Sequence, residues 1–209
     1  MTELSAIAFD WGGVFTEGTF DSCAVQNLAQ AFEVKVDEVA QTYFPLMEAF
    51  EAGAFDFEAF HRKFLEHAGL TLPYRTFRET FLGSVRERAA MFEVLNSIPK
   101  AYTVAMLSNN VPVLCDRVRD DPRYSRIEHF VFSNEIGVRK PDPEAFKRLT
   151  EALGAPPEAT VFVDDNSGNI ESCRKLGYQG ILLEGFENFS ARWAELLPGL
   201  ALPVAKNDG

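Results

Sequence analysis

The chain has 209 residues, 46% of them hydrophobic, enough to bury one substantial core or a core with a small accessory unit. Its formal net charge of −11 argues against nucleic acid or an anionic membrane as partner, since both need clustered Lys and Arg. Cys23, Cys115 and Cys173 lie far apart without C-x-x-C spacing, which argues against a disulfide framework or a zinc site and fits thiols in a reducing cytoplasm.

The first apolar run, "AIAFD" (6–10), reads as a buried parallel strand that ends on Asp10, ahead of Gly12 and Gly13. Residues 20–92 show amphipathic helical patterns and no convincing strand, so they read as a helical insert. One of its helices opens at Asp56 as N-cap and carries Phe57, Phe60 and Phe64 on one face. The insert holds 11 of the 19 Phe residues, expected to pack its own core with one or two left over to line a pocket. Strand patterns resume at "YTVAMLS" (102–108), which runs into Asn109 and Asn110, and at "HFVFS" (129–133). Lys140 follows in "GVRKPDPEAF", where Pro141 favours an extended or turn conformation before a helix at "DPEAFKRLTEALG" (142–154). "TVFVDD" (160–165) carries Asp164 and Asp165, "GILLE" (180–184) is the last strand, and "PGLALPVAKNDG" (198–209) reads as a loosely ordered tail. No basic n-region with an apolar h-region opens the chain and no apolar run approaches a membrane span, so a cytoplasmic location is expected.

Strands alternating with helices predict an α/β fold with a parallel sheet, formed by residues 1–16 and 94–209 and interrupted by the insert at 17–93. In such sheets ligands bind beyond the carboxyl ends of the strands. Asp10, Ser108 and the Asp164–Asp165 pair each fall at such an end. Taken singly, each fits an ordinary turn. Together they place an acidic trio, a hydroxyl and a lysine at one edge. Crowded carboxylates call for a cation, and all-oxygen ligands favour Mg²⁺, which commonly bridges to a phosphate. Ser108 can donate to a phosphoryl oxygen, Lys140 can offset its charge, and the glycines after Asp10 let backbone N–H groups approach. These are the parts phosphoryl transfer needs, with Asp10 as nucleophile.

The order and spacing of these stretches resemble the haloacid dehalogenase (HAD) superfamily: "FDWGGV" its first motif, "LSNN" the second, "RKPDPEAF" the lysine motif and "VFVDDNSGNI" the fourth. The insert after the first motif resembles a C1-type helical cap. The resemblance implies a Rossmann-like core and a small phosphorylated metabolite as substrate. It implies Asp10 as nucleophile, with Trp11, Gly12, Ser108, Asn109 and Lys140 binding the substrate. Mg²⁺ would be held by the Asp10 carboxylate, the Gly12 carbonyl and Asp165, with Asp164 acting mainly through water.

One position departs from the pattern: Gly12 stands where phosphatases of the family usually carry a second Asp that shuttles a proton. General acid/base help is worth typically about 10² to 10⁴ in rate. A substitute acid, an easy leaving group or absent catalysis are therefore the alternatives. Glu17, seven residues after Asp10, is the candidate substitute. The opening also resembles a bacterial branch with sugar-1-phosphate phosphatases. The rival readings are a weakly catalytic binding or regulatory module and a metal-free 2-haloacid dehalogenase, the latter disfavoured by paired acids beside a carboxylate substrate.

Overall fold

The structure, a computed structural model, describes residues 2–202. Among them are strands β1 (Ala6–Phe9), β2 (Thr103–Ser108), β3 (His129–Phe132), β4 (Thr160–Asp164) and β5 (Gln179–Leu182), forming a sheet in the order β3-β2-β1-β4-β5. Every pairing is parallel. The near-continuous apolar runs have a cause in this placement, because the strands are covered on both faces. Ile7 and Phe9 of β1, Val104 and Met106 of β2, and Val161 and Val163 of β4 join one core cluster. Ala6, Ala8, Ala105, Leu107 and Phe162 alternate onto the opposite face and join a second. The alanines on that second face leave room for large rings, and Phe146 meets Phe162 edge-on with centroids 5.4 Å apart.

Helices α1 (Phe20–Phe32), α2 (Val36–Glu51), α3 (Phe57–Ala68) and α4 (Tyr74–Leu82) follow β1 without an intervening strand. The Asp56 carboxylate accepts the Ala59 N–H at 2.8 Å and caps α3. Phe57, Phe60 and Phe64 of α3 are buried against Phe77 and Phe81 of α4, and Phe50 of α2 stacks on Phe60 at 4.7 Å. Phe44 stands apart, 49% exposed. Helix α5 (Ala89–Ser97) returns the chain to the sheet and runs across the anticipated junction at 93/94. The outgoing and returning segments lie side by side, with Glu17 N–H donating to the Arg86 carbonyl and Arg88 N–H to the Phe15 carbonyl.

Beyond β2 come α6 (Pro112–Asp120), α7 (Ser133–Ile136), α8 (Pro143–Leu153), α9 (Ser167–Lys175) and α10 (Phe186–Leu196). Phe146 and Leu149 of α8 and Ile170 of α9 cover one sheet face, while Leu114 of α6 and Trp193 of α10 belong to the cluster on the other. The three cysteines are free thiols. No helix among the described residues is long and apolar enough to cross a membrane. Of the expected tail, 203–209 lie outside the described residues.

Candidate active site

The register of the sheet brings the chemistry together. Phe9 pairs with Met106 on one side and Val163 on the other, so the residues that follow emerge at one edge. Asp10 continues the ladder by one bond, its N–H donating to the Val163 carbonyl at 2.8 Å. Lys140 reaches between two strand ends, its Nζ 2.9 Å from Asp10 Oδ1 and 2.6 Å from Asp164 Oδ2. Its backbone is clamped by Asn109: Lys140 N–H donates to Asn109 Oδ1 at 2.8 Å, and Asn109 Nδ2 donates to the Lys140 carbonyl at 3.0 Å. The Asp164 carboxylate is saturated, taking Asn169 Nδ2 at 3.0 Å, the Asn166 N–H at 2.8 Å and Lys140.

Asp10, Asp164 and Asp165 present carboxylate oxygens within 4.8 Å of one another. Burial, opposed by Lys140 and reinforced by Asp164, pushes the Asp10 carboxyl up to about 7. Asp165 is raised by burial and by Asp164. For Lys140, burial works against the charge, but the Asp10 and Asp164 carboxylates outweigh it and hold the ammonium above its ordinary range. Gly13 is required here. Its φ is +69°, and a Cβ at that position would sit 1.9 Å from Asp165 Oδ2.

A cleft of about 380 Å³ opens over this edge. The core lines it with Asp10, Trp11, Gly12, Asn109, Lys140 and Asp165, and the helices of the insert with Phe20, Asp21, Met47 and Glu51. Glu51, in the last turn of α2, is 7% exposed, and Arg139 grips its Oε2 through Nε at 2.8 Å and Nη2 at 2.7 Å. Burial and the nearby Asp21 outweigh Arg139 and push the Glu51 carboxyl up to about 7. Asp21 is likewise raised by burial, and Tyr43 Oη donates to its Oδ1 at 2.7 Å.

The remaining expected residues fall in three places. Trp11 lines the cleft but is also a packing residue, with Nε1 donating to Tyr124 Oη at 2.8 Å and its ring against Phe20. Ser108 is buried at the end of β2, its Oγ 3.4 Å from the Asn109 carbonyl, outside the residues that line the cleft. Glu17 is exposed in the outgoing connection and also stays outside that lining. Gly12 lines the cleft, and a Cβ added there would meet nothing within 4 Å.

Residues 4–177 match the family model described as haloacid dehalogenase-like hydrolase. The chain belongs to this family. Among curated proteins, this hydrolase is 27% identical over 189 residues to D-ribitol-5-phosphate phosphatase of Bacteroides thetaiotaomicron, covering 84% of this chain and 90% of that protein. Among solved structures, it is similar to a HAD family enzyme of the same organism in complex with magnesium and inorganic phosphate. The TM-score is 0.76 at 22% identity, covering 90% of this chain and 98% of that one. It is also similar to the L-2-haloacid dehalogenase of Xanthobacter autotrophicus, with TM-score 0.64 at 15% identity over 85% of this chain and 76% of that one.

The hydrolase's cleft contains residues that the sequence patterns did not single out, Asp21, Glu51 and Arg139, alongside Asn110, which was expected at the end of its strand. A signal existed for Glu51. Val39, Tyr43, Met47 and Glu51 follow one another at four-residue spacing and all are buried, so a carboxylate occupies the apolar stripe of α2.

Proposed function

We propose that this hydrolase is a Mg²⁺-dependent phosphatase that cleaves a small phosphorylated metabolite through a phosphoryl group carried on Asp10. The observation that carries the reading is the buried Lys140 bridging Asp10 and Asp164, with Asp165 alongside. A carboxylate nucleophile, a fixed cation for the incoming anion and an all-oxygen donor set meet in one cleft. The donors fit a small hard cation. Three carboxylates converge, and Gly13 leaves free the space that Asp165 occupies and a Cβ would fill. Asp10, Asp165 and the Gly12 carbonyl would hold Mg²⁺, with Asp164, saturated by its own partners, acting through water. Bound there, Mg²⁺ supplies neutralisation of phosphoryl-oxygen charge.

This chain's own residues do the rest. Asp10 Oδ1 is held by Lys140 and by the Trp11 N–H at 2.7 Å, which orients the carboxylate and leaves Oδ2 to attack phosphorus as the bond from phosphorus to the leaving-group oxygen breaks; water then cleaves the phosphoryl group from Asp10 as inorganic phosphate. Lys140 offsets charge on the transferring group, and Asn109 keeps it in place. Ser108 would donate to a phosphoryl oxygen only if its hydroxyl turns from the Asn109 carbonyl toward the cleft, whose lining it does not join. Residues 17–93 would serve as the cap over the core of 1–16 and 94–209, with Asp21 and Glu51 reaching the leaving-group side. Glu17 becomes the leaving-group acid only if the connection it sits on moves into the cleft. An anomeric or acyl phosphate needs less protonation at departure.

Gly12 favours a second reading, a phosphate-binding module with weak turnover, since the carboxyl of the second motif position is absent. A dehalogenase reading has less support, because a carboxylate substrate would meet three acidic side chains. The test is turnover of a phosphate and haloacid panel with Mg²⁺ and with chelator, in the wild type and in Asp10→Asn. Mg²⁺-dependent phosphate release that Asp10→Asn abolishes without loss of fold is the expected result. Halide release in chelator, or full activity of the variant, refutes the assignment.

A further inference from the structure

The cleft lining also carries an amide donor with nothing to donate to. Asn110 is 1% exposed, and its Oδ1 accepts the Val111 N–H at 2.9 Å, which sets the orientation of the amide. Its Nδ2 has no hydrogen-bond partner, although the residue lines the cleft. An amide N–H₂ buried without a partner costs roughly 1–3 kcal/mol, and an oxygen of a bound ligand would remove that cost. The insert adds the acceptors Asp21 and Glu51 to the same cleft.

Charge in this chamber is already committed. Among the described residues lining the cleft the cations are Arg139 and Lys140. Arg139 is held by two contacts to Glu51 and lies 3.6 Å from Glu48, and Lys140 is held by Asp10 and Asp164. A second phosphate or a carboxylate on the leaving group would find no uncommitted cation and would face Asp21 and Glu51. A hydroxyl would find acceptors on both carboxyls and a donor on Asn110. Apolar contact is available as well, from Phe20 and Met47.

We propose that Asn110, Asp21 and Glu51 form a leaving-group subsite that takes a hydroxylated, otherwise uncharged leaving group and rejects one with a second anion. The proposal rests on the phosphatase reading and specifies the class of substrate for that site. Asn110 donates to a hydroxyl oxygen, Asp21 and Glu51 accept from hydroxyls, and Arg139 and Tyr43 hold the two carboxyls in position.

The test compares glycerol phosphate with phosphoglycerate, which share a three-carbon chain and differ by a terminal carboxylate, using p-nitrophenyl phosphate as a reference. Assayed at about pH 8.5, above the value near 7 at which Glu51 gives up its proton, the wild type is expected to favour glycerol phosphate in kcat/KM by about 100-fold, the scale of like-charge juxtaposition in a desolvated site. Asp21→Asn with Glu51→Gln should compress that ratio to below about tenfold, while Asn110→Ala should lower kcat/KM for glycerol phosphate more than for p-nitrophenyl phosphate. If the double variant fails to fold, the wild-type ratio and the Asn110→Ala comparison decide. Hydrolysis of p-nitrophenyl phosphate together with a wild-type ratio near one overturns the subsite and leaves the phosphatase reading standing. No turnover of any of the three phosphates with Mg²⁺ overturns both.

Discussion

Replacing Glu51 by Gln should change the pH dependence of stability in a calculable way. Glu51 is pushed from its ordinary 4.5 to about 7 because burial and Asp21 outweigh the Arg139 guanidinium. Between those values the folded chain holds a proton that the unfolded chain releases, so stability falls as pH rises. The favourable term is complete below the unfolded value and lost as pH passes the folded one. The interval corresponds to about 3 kcal/mol at 1.36 kcal/mol per pH unit. The side chain is almost fully enclosed, so solvent screening removes little of this. Gln keeps the acceptor for Arg139 but has no proton to lose. Urea unfolding followed by circular dichroism, in both proteins from about pH 4.5 to about pH 8, should show the Glu51→Gln variant gaining about 3 kcal/mol on the wild type across the range. Most of the change should come between about pH 5 and 7. A difference that stays flat would refute the reasoning, since it would mean that the two short Arg139 contacts keep Glu51 ionised throughout.

Lys140→Met removes the shared partner of Asp10 and Asp164 and should destabilise the fold by about 3–5 kcal/mol while abolishing turnover; an unchanged unfolding midpoint would contradict the buried ion-pair account. Gly13→Ala drives a Cβ to 1.9 Å from Asp165 Oδ2, so calorimetry should show weakened Mg²⁺ binding, and wild-type affinity would argue against Asp165 as a ligand. Gly12→Asp meets no steric barrier and should fold like the wild type. If the missing acid limits the reaction, that variant should speed alkyl phosphates by up to about 10² while changing acyl phosphates little. Equal effects across a leaving-group series would show that protonation is not limiting.

The parallel sheet was legible because buried strands write themselves as local apolar runs, each ending on its polar residue. Phe9–Asp10 and Val163–Asp164 could therefore be placed at one edge before any contact was known, and the helix capped by Asp56 has its apolar face as spaced. Asn109 was legible as a cleft residue, while its clamp on the Lys140 backbone was not, because that depends on how the loop after β3 folds back over β2.

The α/β core, the family and the acid–lysine edge of the cleft follow from short-range patterns and from the rule that parallel strands deliver their C-terminal residues to one side. Which carboxyls of the insert reach that edge depends on contacts between distant segments. Glu17 is close to Asp10 in sequence and lies outside the cleft lining, whereas Glu51 lines it and pairs with Arg139 across 88 residues of chain. That outcome depends on how the stripe of α2 docks over the sheet, and docking is set by the packing of the whole insert, of which no single stretch of sequence carries more than a part.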